Sequence, residues 1–147
     1  MWNSRSIILS LFIGLLNGIV LGLILKSIEH FTNIGVYTLL LNVDFIPIFG
    51  SHDWSETTEF FFHVFISIVI TFVFVNLAQR FKLGKYFKQL MLLSFLICLP
   101  TFILYFILSE LAIKEVPIWY DWKAFTYWSV GHFMYVWTLA FLYKKLI

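Results

Sequence analysis

Charge is the first thing this sequence lacks: Asp, Glu, Lys and Arg make up 12% of its 147 residues, about half the roughly 25% of an ordinary soluble domain. A chain so poor in solvated groups cannot cover a water-facing globule, which excludes the aqueous single-domain classes. It also lacks an excess of one sign. The net charge is +2, and the basic residues sit at segment ends without forming a patch, so nucleic-acid binding is excluded. The one cysteine, Cys98, lies within an apolar run; it has no intrachain partner and reads as a packing residue. Glycine-rich phosphate loops, paired cysteines, a serine nucleophile elbow and an HExxH zinc motif are absent, so no motif announces an enzyme. Internal repeats, low-complexity tracts and N-x-[ST] sequons are missing too.

What remains is apolar: 61% of residues are hydrophobic and 21% aromatic. A membrane-crossing helix needs about 20 mostly apolar residues. Four segments supply them: Ile7 to Leu25, Phe60 to Leu77, Leu90 to Leu108 and Ala124 to Tyr143. The expected fold is an all-α integral membrane protein, a single four-helix transmembrane domain over residues 1–147 that uses the lipid bilayer as its solvent. The first segment, although preceded by Arg5, is as long as a full span and lacks a small-residue cleavage site after it, so it reads as a retained helix.

Charge asymmetry sets the expected direction. Arg80, Lys82, Lys85 and Lys88 follow the second segment and Lys144 and Lys145 end the fourth, whereas the other two connections are acidic. The positive-inside rule then puts both termini in the cytoplasm. The first outer connection contains "GVYTLLLNVDFIPIFG", too apolar for water and too short to cross. A re-entrant or interfacial segment, bent at Gly35, Pro47 and Gly50 and capping the outer mouth of the bundle, is expected there.

Gly14, Gly18 and Gly22 recur every four residues in the first span. Small residues at this spacing let two helix backbones approach closely in lipid, and Glu29 falls in the same angular sector, at about 100° per residue. The partner of this stripe is either another span of the chain or a second protein. Asn17, on an adjacent face, suits an interhelical hydrogen bond.

His63 lies one turn inside the second span, with Glu59 a turn above and Ser67 a turn below. His132 lies two turns inside the fourth, with Ser129 a turn above. Both spans run inward, so both imidazoles fall in the outer half of the bilayer, and Glu29 ends the first span at the same level. An ionisable group at that depth costs about 2.5–3.5 kcal/mol at the bilayer centre and less near its edge, so a shared site is expected. Two histidines and a carboxylate suit a divalent transition metal such as zinc or iron. The same trio without metal is a hydrogen-bonded cluster that holds and releases protons. Each histidine is also explained by a structural hydrogen bond alone.

Elsewhere the bland explanations lead. "SHDWSETTE" reads as a helix start, with Ser55 or Thr57 as cap and acids in the first turn. His30 and His52 read as surface groups, and Pro100 as a kink in the third span. Trp2, Trp54, Trp119, Tyr120, Trp122, Tyr127 and Trp128 form an aromatic belt.

Several local patterns, namely the glycine stripe followed by Glu29, "HVFISIV" from His63, "RFKLGKYF", "PIWY" and "GHFMYVWTLAFLYKKL" from Gly131, resemble the YagU-like family of bacterial inner-membrane proteins. The resemblance covers about two thirds of the chain and leaves out the first outer loop. It implies a multi-span protein of the bacterial cytoplasmic membrane linked to acid or envelope stress tolerance, and it falls on Glu29, His63 and His132. Two other functions stay open. One is an interaction subunit whose glycine stripe packs on another membrane protein or on a second copy of the chain. The other is an intramembrane enzyme that acts on a lipid or quinone with His63 or His132 as base.

Overall fold

The computed structural model describes residues 4–147; Trp2 of the aromatic belt lies outside them. Among the described residues every regular element is helical. The order is α1 (Ser4–Thr32), α2 (Val36–Leu41), α3 (Glu56–Arg80), α4 (Phe87–Leu111) and α5 (Trp122–Leu146), with single 3-10 turns at Phe49–Ser51 and Leu83–Lys85. Each long helix exceeds the apolar segment read from the sequence by several residues at both ends, because capping groups and charged residues extend it beyond the apolar stretch. Ser55 caps α3 by accepting the Thr58 amide, and Asp121 caps α5 by accepting those of Lys123 and Ala124. Acidic Glu56 and Glu59 sit in the first turn of α3, and Lys144 and Lys145 in the last turn of α5, each complementing the helix dipole.

Three helices, α1, α3 and α4, are long and apolar enough to cross a membrane. The fourth, α5, has 25 residues like α3 and α4, but Gly131, His132 and several Tyr and Trp residues make it more polar. Large apolar side chains such as Ile8, Phe61, Phe65, Leu92 and Phe133 point outward, a surface suited to lipid and unsuited to water.

The helices pack in an order different from the chain's. The most extensive contact is α1 with α3; α5 packs on the other side of α1, and α4 packs on α5. By contrast α3 and α4, although joined by a short turn, touch little. The glycine stripe explains the first contact. A Cβ at Gly14 would lie 2.7 Å from Ile68 Cα, one at Gly18 2.9 Å from Ser67 Cβ, and one at Gly22 2.4 Å from Phe60 Cε2. The stripe is therefore covered by α3 of the same chain, and the subunit reading loses the surface on which it relied.

The expected capping segment takes the form of α2, a six-residue helix lying against α1 and α3 and reaching α4 and α5, with Val36 and Leu39 fully buried. Gly35 precedes it, and Gly50 sits where a Cβ would lie 1.8 Å from the Asp44 carbonyl oxygen, so no larger residue fits. At the opposite end, the Lys144 ammonium donates to the carbonyls of Gly84 (2.5 Å) and Lys85 (3.1 Å), tying the end of α5 to the α3–α4 turn. The α4 helix runs continuously through Pro100.

Candidate functional site

The close approach of α1 and α3 exposes backbone carbonyls of α1 to polar side chains of α3. His63 Nε2 donates to the Gly18 carbonyl at 3.0 Å, and the Ser67 hydroxyl donates to the Gly14 carbonyl at 2.7 Å. Both carbonyls only accept, so the donor roles are fixed. With its single proton committed to Gly14, the Ser67 oxygen accepts from the Tyr135 hydroxyl at 3.0 Å. On α5, His132 Nδ1 donates to the Trp128 carbonyl one turn back at 2.8 Å, and its ring lies against the Trp128 indole at 4.4 Å between centroids.

Both histidines line one cavity of about 120 Å³, together with Ser67, Thr101, Trp128 and Tyr135 and aliphatic side chains of α1, α2, α3 and α4. The cavity is lined by side chains of α3 and α4, which touch each other little, with Leu21 of α1, Leu40 of α2 and the polar side chains of α5 completing the wall.

The donors around it are all spent. Beyond the imidazole N–H groups and the Ser67 and Tyr135 hydroxyls, the Thr101 hydroxyl donates to the Cys98 carbonyl (2.6 Å), and the Trp128 indole to the Thr101 carbonyl (2.9 Å). In a neutral imidazole whose one nitrogen is a donor, the other carries a lone pair. His63 Nδ1 and His132 Nε2 are those nitrogens, and neither has a partner among the described residues. Beside its aliphatic wall the cavity therefore offers acceptors and no free donor, so a polar group bound there must bring the hydrogen.

Glu29 is not part of it. Its Oε2 accepts the amides of Tyr37 and Thr38 at 2.8 Å each, and its Oε1 accepts the Thr38 hydroxyl at 2.7 Å. It caps α2, whose own preceding residue, Gly35, has no side chain to do so. Local backbone donors have taken the carboxylate expected beside the imidazoles. Among the described residues no three His, Cys, Asp or Glu side chains gather closely enough to hold a metal ion, so the zinc or iron site expected from Glu29, His63 and His132 does not assemble.

Glu59 likewise turns away. Its side chain, 9% exposed, pairs at 2.5 Å with Lys114 of the second connection. Asp44 ties the α2–α3 connection to the same α4–α5 connection, its Oδ2 accepting the amides of Ile113 (3.0 Å) and Lys114 (2.6 Å). The Ser129 hydroxyl is buried without a partner and is not among the groups lining the cavity. His52 stacks on Trp54, and His30 is exposed.

Three lining groups escaped the sequence reading: Thr101, Trp128 as a cavity wall, and Tyr135. The signal for two of them lay in helical spacing, since Trp128 and Tyr135 stand four residues before and three after His132 and share its face.

No family model matches the chain, and neither does any curated protein or solved structure. The YagU-like resemblance therefore rests on the residues quoted for it.

Proposed function

We propose that the chain is a small protein of the bacterial cytoplasmic membrane that crosses the bilayer four times with both termini inside, and that its cavity is an outward-facing proton site. Support for the fourth crossing comes from length: 25 helical residues rise about 37 Å at 1.5 Å each, against a hydrocarbon core of about 30 Å. Support for the direction comes from the basic cluster around Lys85 and Lys144, set against the acidic end formed by Glu29, Asp44, Glu56 and Glu59. The observation that carries the site is the pair of imidazole lone pairs, His63 Nδ1 and His132 Nε2, on one cavity whose donors are all engaged. A proton entering there is taken up by one ring, and its charge is then felt by the other across the cavity. Membership of the YagU-like family and a part in acid or envelope stress tolerance belong to the same proposal.

The test is nitrogen NMR of the histidine-labelled protein in nanodiscs, in a His30→Gln/His52→Gln background so that only the pair reports. Titrated from about pH 8 to about pH 4, across the range in which imidazoles change charge, one ring should take up a proton and thereby hinder the uptake of a second by the other. In His132→Phe, His63 should titrate alone at a different pH. Rings that stay unchanged throughout, or that titrate independently, would reject the reading.

A further inference from the structure

We propose that the His63–His132 cavity takes, from the side, the head of an uncharged hydroxyl-bearing lipid, a monoacylglycerol or a lipid with an equivalent vicinal diol. This rests on the same cavity as the proton reading but asks a different thing of it.

The sparse contact between α3 and α4 gives the route. Neighbouring helices of a membrane bundle ordinarily close on each other, yet α3 and α4 make little contact, and side chains of both line the cavity. The rim of the cavity is aliphatic and faces outward, with Ile66 57% and Leu104 39% exposed. An acyl chain lying along α3 and α4 would reach the polar wall without leaving hydrocarbon. The α2 helix is held down by Glu29, and a body of buried apolar side chains blocks direct entry from the end of the bundle.

The chemistry of the walls gives the head. The cavity presents two imidazole lone pairs and the oxygen of Tyr135, and it has no donor to spare. A ligand that only accepts, such as an ester or a quinone carbonyl, would be desolvated without compensation, at about 1–3 kcal/mol per group. A phosphate would meet no Lys or Arg, since none lines the cavity, and an ammonium no carboxylate; burying either charge unpaired is more costly still. Two neutral hydroxyls donate one hydrogen to each of the two imidazole nitrogens. The size agrees. At about 120 Å³ the space is comparable to the roughly 150 Å³ cavity that holds benzene, and a glycerol head has the same number of heavy atoms as that ring.

The experiment is native mass spectrometry of the purified protein with added monooleoylglycerol, beside methyl oleate, oleoyl lysophosphatidate and free glycerol. One monooleoylglycerol per chain should be retained, with an affinity at least about tenfold above that of the ester or the phosphate, and free glycerol at the same concentration should not compete. His132→Phe should remove the preference. Ile66→Trp, at a lipid-facing rim position that leaves the polar set intact, should block binding while helicity is unchanged, so a folding defect in the histidine variant cannot decide the result. Equal retention of methyl oleate, a preference for lysophosphatidate, competition by glycerol, or binding indifferent to Ile66→Trp would each overturn the assignment. Retention of no lipid at all, in a protein whose histidines still titrate as a coupled pair, would overturn it and leave the proton site standing.

Discussion

His63 and Gly18 are joined across the α1–α3 interface by a hydrogen bond of 3.0 Å from ring nitrogen to backbone carbonyl. The bond exists because position 18 carries no side chain. Only a bare backbone lets α3 come close enough for an imidazole to reach a main-chain oxygen of α1, and the same approach brings Ser67 to Gly14.

Substituting Gly18 by alanine tests this directly. The added methyl would stand 2.9 Å from Ser67 Cβ and 3.3 Å from the Val64 Cα, and one of those contacts is backbone that cannot step aside. A loss of about 1–3 kcal/mol is expected, read as a lower unfolding midpoint in detergent or by steric trapping in bicelles. Gly84→Ala is the control, since a Cβ there meets nothing within 4 Å and stability should change by less than about 0.5 kcal/mol.

Glu29→Gln should loosen α2 and leave the histidine pair alone. A lost cap costs about 0.5–2 kcal/mol, so hydrogen exchange at the Tyr37 and Thr38 amides should speed up, while the histidine NMR signals stay in place. A shift of the imidazole signals in this variant would restore Glu29 to the site.

Lys114→Met should leave Glu59 buried and unpaired. Lys114 itself is 43% exposed, so the loss expected is the smaller one of an unsatisfied buried acceptor, about 1–3 kcal/mol, and not the larger one of a fully buried pair. Measured against it, Glu59→Gln should be milder, because the amide is cheaper to bury than the carboxylate. The double variant should recover part of the Lys114→Met loss; strictly additive losses would mean that the pair contributes nothing.

Tyr37, on α2 outside the long helices, carries a pH signature. Burial first, and then its hydrogen bond to Glu56, push its hydroxyl above the ordinary tyrosine value. The folded chain therefore holds this proton more tightly than the unfolded one. Stability from this group is complete below the ordinary value of about 10 and declines as pH rises beyond it. Denaturant titrations at rising alkaline pH should show that decline in the wild type and a shallower one in Tyr37→Phe; identical slopes would contradict it.

Sequence patterning went furthest where a rule is local or periodic. The four long helices, a cap at the start of α3 (narrowed to Ser55 or Thr57, of which Ser55 is the one), and the close-packing stripe at Gly14, Gly18 and Gly22 follow from hydropathy, capping chemistry and helical spacing. The fate of Glu29 did not. Its sector on α1 predicts a place facing the other spans, but the chain turns back after Thr32 and brings the amides of Tyr37 and Thr38 to the carboxylate. A six-residue helix preceded by glycine leaves little trace in sequence, and so its need for a remote cap was invisible. Glu59 was lost to the same cause, since its partner, Lys114, comes from a connection 55 residues away. The sparse contact between α3 and α4 was hidden because helices joined by a short turn are expected to pack on each other.

The position of α1 bears on how the protein is made. It leaves the ribosome before α3 and α5, yet its glycine face waits for α3, and the amide of Asn17 waits for the Tyr135 carbonyl and the Thr138 hydroxyl of α5. For most of synthesis this helix stands in the bilayer with its polar side chain unanswered, and only the arrival of the final segment closes the assembly. Nascent chains stalled before Tyr135 should accordingly be the ones most readily claimed by quality-control proteases or holding chaperones of the membrane.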